Sequence, residues 1–413
     1  MKIAIIGKGL AGIITAMAWK AHYPSTEIEI HYDPESPIEP VGSGSWPNLL
    51  DMLVDFQTSD PRCWPTWKSA DWDQTVKTGI DYEGWGETGK SWFHEFGMHR
   101  VSMHFDPQKF CDDMGQYFTL KEGKVGYNID ANYIYDCGGS PFSGKQCTSQ
   151  SFKNYDTLIN PLNRVLLAET DAYSDVFCTT KTIATKDGWC FRIPLQSRTS
   201  VGYLFNTEIT SDEDALKNFE EQFGSHTIIG WRSFHNYMAK NPVIDDRIFL
   251  NGNKYFFIEP MEATSVTGYM VWADRTMQHI NQGIPLDTIV KENQRDIEEN
   301  AAFLLYHYSQ GSVYDTPFWQ YAKELWNSPE LMIHKRTLNN IIEMGEKGNW
   351  RQLCMNSAMA NARLYGKTYN YSYFSFPSVM NCYYNLLGQD YESIPATHWL
   401  GKVDPPDSPY KRG

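Results

Sequence analysis

Two short segments of this chain carry residues whose types and spacing could do chemistry. The first is GKGLAG, where Gly7, Gly9 and Gly12 are spaced G-x-G-x-x-G directly after the apolar run KIAII. Glycines at this spacing let the backbone approach a pyrophosphate, and the N-terminus of a following helix favours its charge. Asp33 lies 21 residues after Gly12, about where an acid can reach a ribose hydroxyl. Together these features predict dinucleotide binding. The second segment is FIEPMEATSV, in which Glu262 sits among apolar neighbours. A carboxylate in such a setting needs partners or a raised pKa. Thr264 and Ser265 leave a second role open for it, at the cap of a helix that begins there. Glu259 reads as a structural carboxylate.

The elements that must position these residues follow from local pattern. KIAII reads as a buried parallel strand, IITAMAWKAH as a helix ending before Pro24, and EIEIHYD as a second strand, which makes a βαβ unit. YIYDCGG, Tyr133 to Gly139, is a second strand-to-glycine turn, and with the first unit its Asp136 favours FAD over NAD. In VGSGSWPNLLDML, Pro47 suits the first turn of a helix, and in MHFDPQKFCDDM Asp106 caps one that Pro107 starts. VKTGIDY places Lys77 on a strand. GWCFRIPL alternates Trp189 and Phe191 as a half-buried strand that must stop at Pro194 or run along an edge. TSDEDALKNFEEQF reads as an N-capped amphipathic helix, and from Pro285 onward the pattern is mostly helical. No linker separates these pieces, so two interwoven layers are expected.

The bulk numbers narrow the partners. The 413 residues carry 36 basic and 50 acidic side chains, a net charge of −14. That balance disfavours nucleic acid and anionic membranes. No apolar run reaches the ~18 residues of a membrane span. The apolar N-terminus imitates a signal segment, but Lys8 and three glycines interrupt it and no small-residue cleavage site follows. The eight cysteines are scattered without metal-type pairing and read as reduced thiols of a cytoplasmic protein, with no metal predicted. Aromatic content is 15%, enough for some rings to line a slot for a flat substrate beyond those that fill the core.

These segments together resemble the flavin-dependent halogenases, the family that includes the tryptophan halogenases. GWCFRIPL is similar to their W-x-W-x-I-P, with Trp189 and Ile193 matching and Phe191 in place of the second Trp. FIEPMEATSV resembles F-[IV]-E-P-L-E-S-T-[SG]-I, with Ala263 replacing Ser, and VGSGSWPNL resembles V-G-E-A-T-x-P-x-L. VKTGIDY fits K-x-x-I-x-F. The resemblance covers roughly residues 1 to 320. It implies an α/β, flavin monooxygenase-like FAD-binding fold with interwoven sheets and a helical C-terminal substrate region. The expected division is an FAD-binding module over 1–280 and a mostly helical region over 281–413. The C-terminal part is shorter than in tryptophan halogenases, which points to a divergent environmental or phage-encoded member and away from free tryptophan.

The resemblance also implies a chemistry. FADH2, supplied by a separate flavin reductase, reacts with O2, and halide is converted to hypohalous acid that halogenates an electron-rich ring such as an indole or phenol. Lys77 would hold the oxidant or form a haloamine, and Glu262 would orient it and take the ring proton. Gly7, Gly9, Gly12, Asp33, Asp136, Trp189 and Ile193 would serve the cofactor. Backbone N–H groups of Thr264 and Ser265 would bind the halide, with bromide or iodide preferred because Ala263 removes a hydroxyl. Two rivals remain beside this reading: a flavin monooxygenase that inserts oxygen, and a flavin-binding descendant with altered catalysis. The oligomeric state is open between monomer and homo-oligomer.

Overall fold

In the computed structural model the elements that position the site are, along the chain, β1 (Lys2–Ile6), α1 (Leu10–His22), β2 (Glu27–Tyr32), α2 (Pro47–Ser59), β3 (Thr75–Lys77), β4 (Gly79–Glu83), β5 (Trp92–Glu95), β6 (Tyr133–Asp136), β7 (Gly188–Pro194), α3 (Ser265–Gln282), α4 (Leu286–Ser309) and α5 (Phe376–Leu386). The structure describes residues 1–36, 38, 41–60, 62, 71–96, 101–142, 149–172, 179–347 and 371–389. Part of the expected C-terminal region, 348–370 and 390–413, lies outside them.

The first sheet is built around β1, parallel to β2 on one side and β6 on the other. Strands Thr119–Glu122, Ile248–Leu250 and Val243–Ile244 extend it to six. Ile3, Ala4 and Ile5 of β1 are fully buried, as a strand covered on both faces requires. On one face α1 packs against α2 and α3. Ala4, Ile134 and Ile248 form a small separate cluster. The βαβ reading therefore stands, with β2 in register beside β1 from Lys2↔Glu27 to Ile6↔His31.

A seven-stranded sheet carries β7 near its middle, between Arg198–Phe205 and Thr179–Thr185, with β4 and β5 at one edge. Of the two options open to the GWCFRIPL strand, the structure takes the first. Pro194 is the last residue of β7, so its missing N–H ends a central strand and does not confine it to an edge. Trp189, Phe191 and Ile193 share one face, by the two-residue period of a strand. Gly202 on the neighbouring strand makes room for the middle ring: a Cβ there would come 2.2 Å from the Phe191 ring.

A small sheet joins the two layers. Ser102–Phe105 pairs with Ser43–Gly44 on one side and with β3 on the other, setting Lys77 opposite Ser102 and Gly44 opposite His104. Pro47 begins α2 as expected, with Trp46 at the cap position. The Ser45 hydroxyl bonds Ser102 Oγ and the Met103 carbonyl. Asp106 caps its helix by accepting from the Lys109 N–H, and Ser211 caps Asp212–Phe223. Beyond Leu286 the described residues run mainly as helices, α5 being the last.

Candidate active site

The glycine turn fits the phosphates of a dinucleotide. Gly7 has φ +105°, and a Cβ there would lie 2.5 Å from the Cys137 carbonyl oxygen. A Cβ on Gly12 would lie 2.0 Å from the Gly7 oxygen, so this glycine allows α1 to sit tightly against the turn. Gly9 is the cap residue of α1, has no side-chain cap, and has open space around its Cβ position. The first N–H groups of α1 thus face a space a phosphate can enter. Asp33 follows β2 and accepts from the Glu35 N–H, with Lys124 at 3.1 Å.

Other expected cofactor residues are placed differently from a simple lining. The Asp136 carboxylate is taken up by the Gly138 N–H at 2.9 Å and the Tyr127 hydroxyl at 2.6 Å. It lines a cavity of about 700 Å³ with Tyr127, Tyr155 and Lys254. Ile193 packs against Gly42, whose N–H donates to Ser200 Oγ. Trp189 is buried within the protein, close to Glu259 and Tyr308. Glu259 accepts from the Tyr308 hydroxyl at 2.8 Å, and burial pushes its carboxyl up to about 8.

Lys77 is fully buried, and its Nζ has no hydrogen-bond partner. The Phe96 ring lies 5.6 Å from it. A Cβ on Gly44 would lie 2.9 Å from Nζ, so the glycine opposite His104 keeps the space the ammonium occupies. His104 is fixed by Thr75 at 3.0 Å and Thr180 at 2.9 Å, and burial together with the Lys77 charge holds it well below its usual range. Burial also lowers Lys77, to about 7, while the charge of Glu262 acts in the opposite direction.

Glu262 does not cap α3. Thr264 occupies the cap position without a side-chain bond to the helix, and its hydroxyl accepts from Asn300. The Glu262 carboxylate is buried and turned toward side chains of four other elements. Tyr82 of β4 donates to Oε1 at 2.5 Å. His94 Nδ1 of β5 lies 3.0 Å from both oxygens. His307 Nε2 of α4 lies 3.4 Å from Oε1, and Cys382 of α5 is 3.7 Å from His94 Nδ1. Burial alone would raise the carboxyl, but the charge and hydrogen bonds of His94 and His307 outweigh it and hold it well below the usual range. The Trp46 indole donates to the Glu262 carbonyl at 2.7 Å. Tyr82 stacks on Trp92 at 4.2 Å, and Phe374 packs near His94 and Trp46.

Ala263, next in the chain, has φ +52°. An alanine in the left-handed region costs about 1–2 kcal/mol. The tight turn, closed by the Ala263 N–H to the Pro260 carbonyl, aims the Glu262 side chain back into the protein just ahead of α3. Sequence reading missed Tyr82, His94, His307 and Cys382. The one signal it held was that a carboxylate among apolar residues must have partners.

A family model described as tryptophan halogenase matches residues 2–113 and 107–370. The chain belongs to this family of flavin-dependent halogenases, enzymes that halogenate aromatic rings. Tryptophan 7-halogenase RebH of Lentzea aerocolonigenes is 21% identical over 78% of this chain and 79% of its own length. Among solved structures, a tryptophan halogenase from Shewanella frigidimarina superposes with a TM-score of 0.73 at 17% identity, over 97% of this chain and 92% of the other. BrvH, a flavin-dependent halogenase from Brevundimonas, superposes with a TM-score of 0.71 at 16% identity, over 94% and 90%. These likenesses bear out the α/β FAD-binding fold. Enzymes of this family use reduced flavin, O2 and halide, with a separate reductase. Among the described residues no helix is long and apolar enough to cross a membrane.

Proposed function

We propose that this chain uses FADH2, O2 and halide to form hypohalous acid and transfers the halogen to small electron-rich aromatic rings, indoles and phenols, with Lys77 and Glu262 as the catalytic pair. The observation that carries the reading is a fully buried lysine without a hydrogen-bond partner, with its pKa lowered to about 7. Gly7, Gly9 and Gly12 hold the pyrophosphate, Asp33 the ribose, and Ile193 and Gly42 the flavin side. Trp189 acts through its packing on the Glu259 side of β7. Reduced FAD, when bound, would supply the electrons that reduce O2, and the oxygen so activated would be the oxidant of the halide.

Lys77 receives the oxidised halogen. As an ammonium it hydrogen-bonds hypohalous acid and makes it more electrophilic; as a free amine it is a nucleophile toward halogen. A pKa near 7 makes both forms accessible at neutral pH. Glu262, held ionised beside His94, accepts the proton from the ring. Backbone N–H groups of Thr264 and Ser265 bind the halide at the start of α3. Residues 1–280 act as the cofactor module and 281–413 as the substrate side.

The test is product formation from an indole or phenol with bromide, a flavin reductase and a scavenger of free hypohalous acid. Lys77→Ala is expected to lose halogenation to background while still binding FAD. A folded Lys77→Ala protein that halogenates at a substantial rate would overturn the reading.

A further inference from the structure

Glu259, three residues before Glu262, is a buried carboxyl outside the Lys77–Glu262 pair. Its side chain is reached from two elements. The Tyr308 hydroxyl of α4 donates to Oε2 at 2.8 Å. The Trp189 indole of β7 lies against the same carboxyl and against Tyr308, and its N–H finds no acceptor elsewhere. The backbone N–H of Glu259 donates to Asn236 Oδ1 at 2.9 Å, so main chain and side chain are both held.

The walls around this contact are rings. Tyr308 meets Trp85 edge-on at 5.3 Å and packs by Phe318 and Trp319. Among the described residues no Lys, Arg or His acts on Glu259. The next titratable group beyond Tyr308 is the Tyr82 hydroxyl of β4, which is bound to Glu262. A carboxylate without a cation is costly in such a place, whereas the acid form still accepts from both donors. An amide of the same shape would accept the same bonds with no charge to bury, so packing alone does not call for a carboxyl here.

The second observation is the way α4 grips the turn. His307 and Tyr308 are adjacent on that helix; His307 approaches Glu262 Oε1 at 3.4 Å while Tyr308 holds Glu259. Between the two glutamates the chain enters the tight turn closed by the Ala263 N–H on the Pro260 carbonyl. One step of the helix therefore spans both carboxyls, and Glu259 fixes the near end of the turn that aims Glu262. Through Trp189 it is also tied to β7, whose Ile193 packs on Gly42.

We propose that Glu259 is a positioning residue for halogenation that works in its uncharged form: it ties Trp189 of β7 to Tyr308 of α4 and so sets the direction in which the turn presents Glu262. The inference rests on the halogenase reading. Burial pushes the Glu259 carboxyl up to about 8, so it is neutral at pH 7 and ionises as the pH rises through that value. Ionised, it draws its two donors or water toward it, and the shift passes from Tyr308 to His307 and Glu262.

The experiment compares bromination of one phenol by wild type and Glu259→Gln across the pH range, with reduced flavin supplied equally. Lys77 and Glu262 are common to both proteins and neither acts on the Glu259 charge, so their titrations cancel in the ratio of the two rates. The amide cannot ionise. The ratio of variant to wild type is therefore expected to stay level below about pH 7 and to rise ~10-fold by about pH 9. Glu259→Ala, with no acceptor for Tyr308 or Trp189, is expected to lose ~10–100-fold in kcat with KM unchanged, and the Gln variant to keep most of that rate at pH 7. Tyr308→Phe removes a bond that favours the ionised form, so it is expected to move the alkaline fall to higher pH. A rate ratio that stays level through pH 9 overturns the proposal, as does a folded Glu259→Ala protein as fast as wild type. If Glu259→Gln does not fold, an alkaline fall unmoved in Tyr308→Phe overturns it equally. Wild type that makes no product at any pH removes the halogenase reading, and this inference falls with it.

Discussion

At the scale of single residues, one lysine and one glycine act together. Lys77 Nζ has no hydrogen-bond partner in a space that a Cβ on Gly44 would enter at 2.9 Å. Gly44→Ala is therefore expected to displace the ammonium while leaving the glycine turn of α1 untouched. Halogenation should fall about tenfold or more with FAD affinity unchanged; flavin fluorescence and product yield measured on the same sample check this. Lys77 also carries a stability signature. Its pKa in the folded protein, about 7, lies below the ordinary 10.5. Between those values the unfolded chain binds the extra proton, so stability rises with pH there. The penalty is complete below about pH 7 and fades toward pH 10.5. Lys77→Met should be more stable than wild type at pH 6, and that advantage should shrink at pH 9. Denaturant titrations at both pH values decide it, and an advantage independent of pH would show that Lys77 is not desolvated.

At the scale of elements, the turn from Pro260 to α3 holds strain beside the site. Ala263 sits at φ +52° without the freedom of glycine. Ala263→Gly is expected to stabilise the fold by up to about 1 kcal/mol, offset in part by the greater entropy of glycine in the unfolded chain. Equilibrium unfolding checks it; a loss of stability would mean the Ala263 methyl makes packing that outweighs the backbone. The same element shows what a sequence can and cannot disclose. The glycine turn, β2, β6 and the capped helices were legible because their signals are local: periodicity, a capping residue, a proline at the first turn. The surroundings of Glu262 were not. Its partners come from β4, β5, α4 and α5, and His94 is 168 residues away. No spacing rule links such positions, since only the packing of β5, α4 and α5 brings them together. Asp136 shows the converse. Its strand was readable, but its carboxylate is used by Gly138 and Tyr127, which only the loop geometry decides.

At the scale of the whole molecule, the cofactor turn follows β1 of the first sheet, Lys77 belongs to the small sheet, and Glu262 is surrounded by side chains of β4, β5, α4 and α5. A halide that reaches this region must give up water as it enters. Its best anchor is the start of α3, an 18-residue helix whose cap residue, Thr264, makes no side-chain bond to the helix N–H groups. The Thr264 hydroxyl itself is engaged by Asn300, and Ala263 offers no hydroxyl at all. Few side-chain donors are therefore left to replace lost hydration, and the backbone must serve alone. Chloride, the smallest and most strongly hydrated of the three halides, loses most under that condition. Iodide loses least and is the easiest to oxidise. Steady-state rates with equal concentrations of chloride, bromide and iodide on one phenol should rise in that order or level off between bromide and iodide. Restoring a hydroxyl with Ala263→Ser should raise the chloride rate relative to iodide by several-fold, because a donor is returned beside the anion. A variant that leaves the halide ratio unchanged would place the discrimination elsewhere, and wild-type enzyme faster with chloride than with bromide and iodide would refute the preference itself.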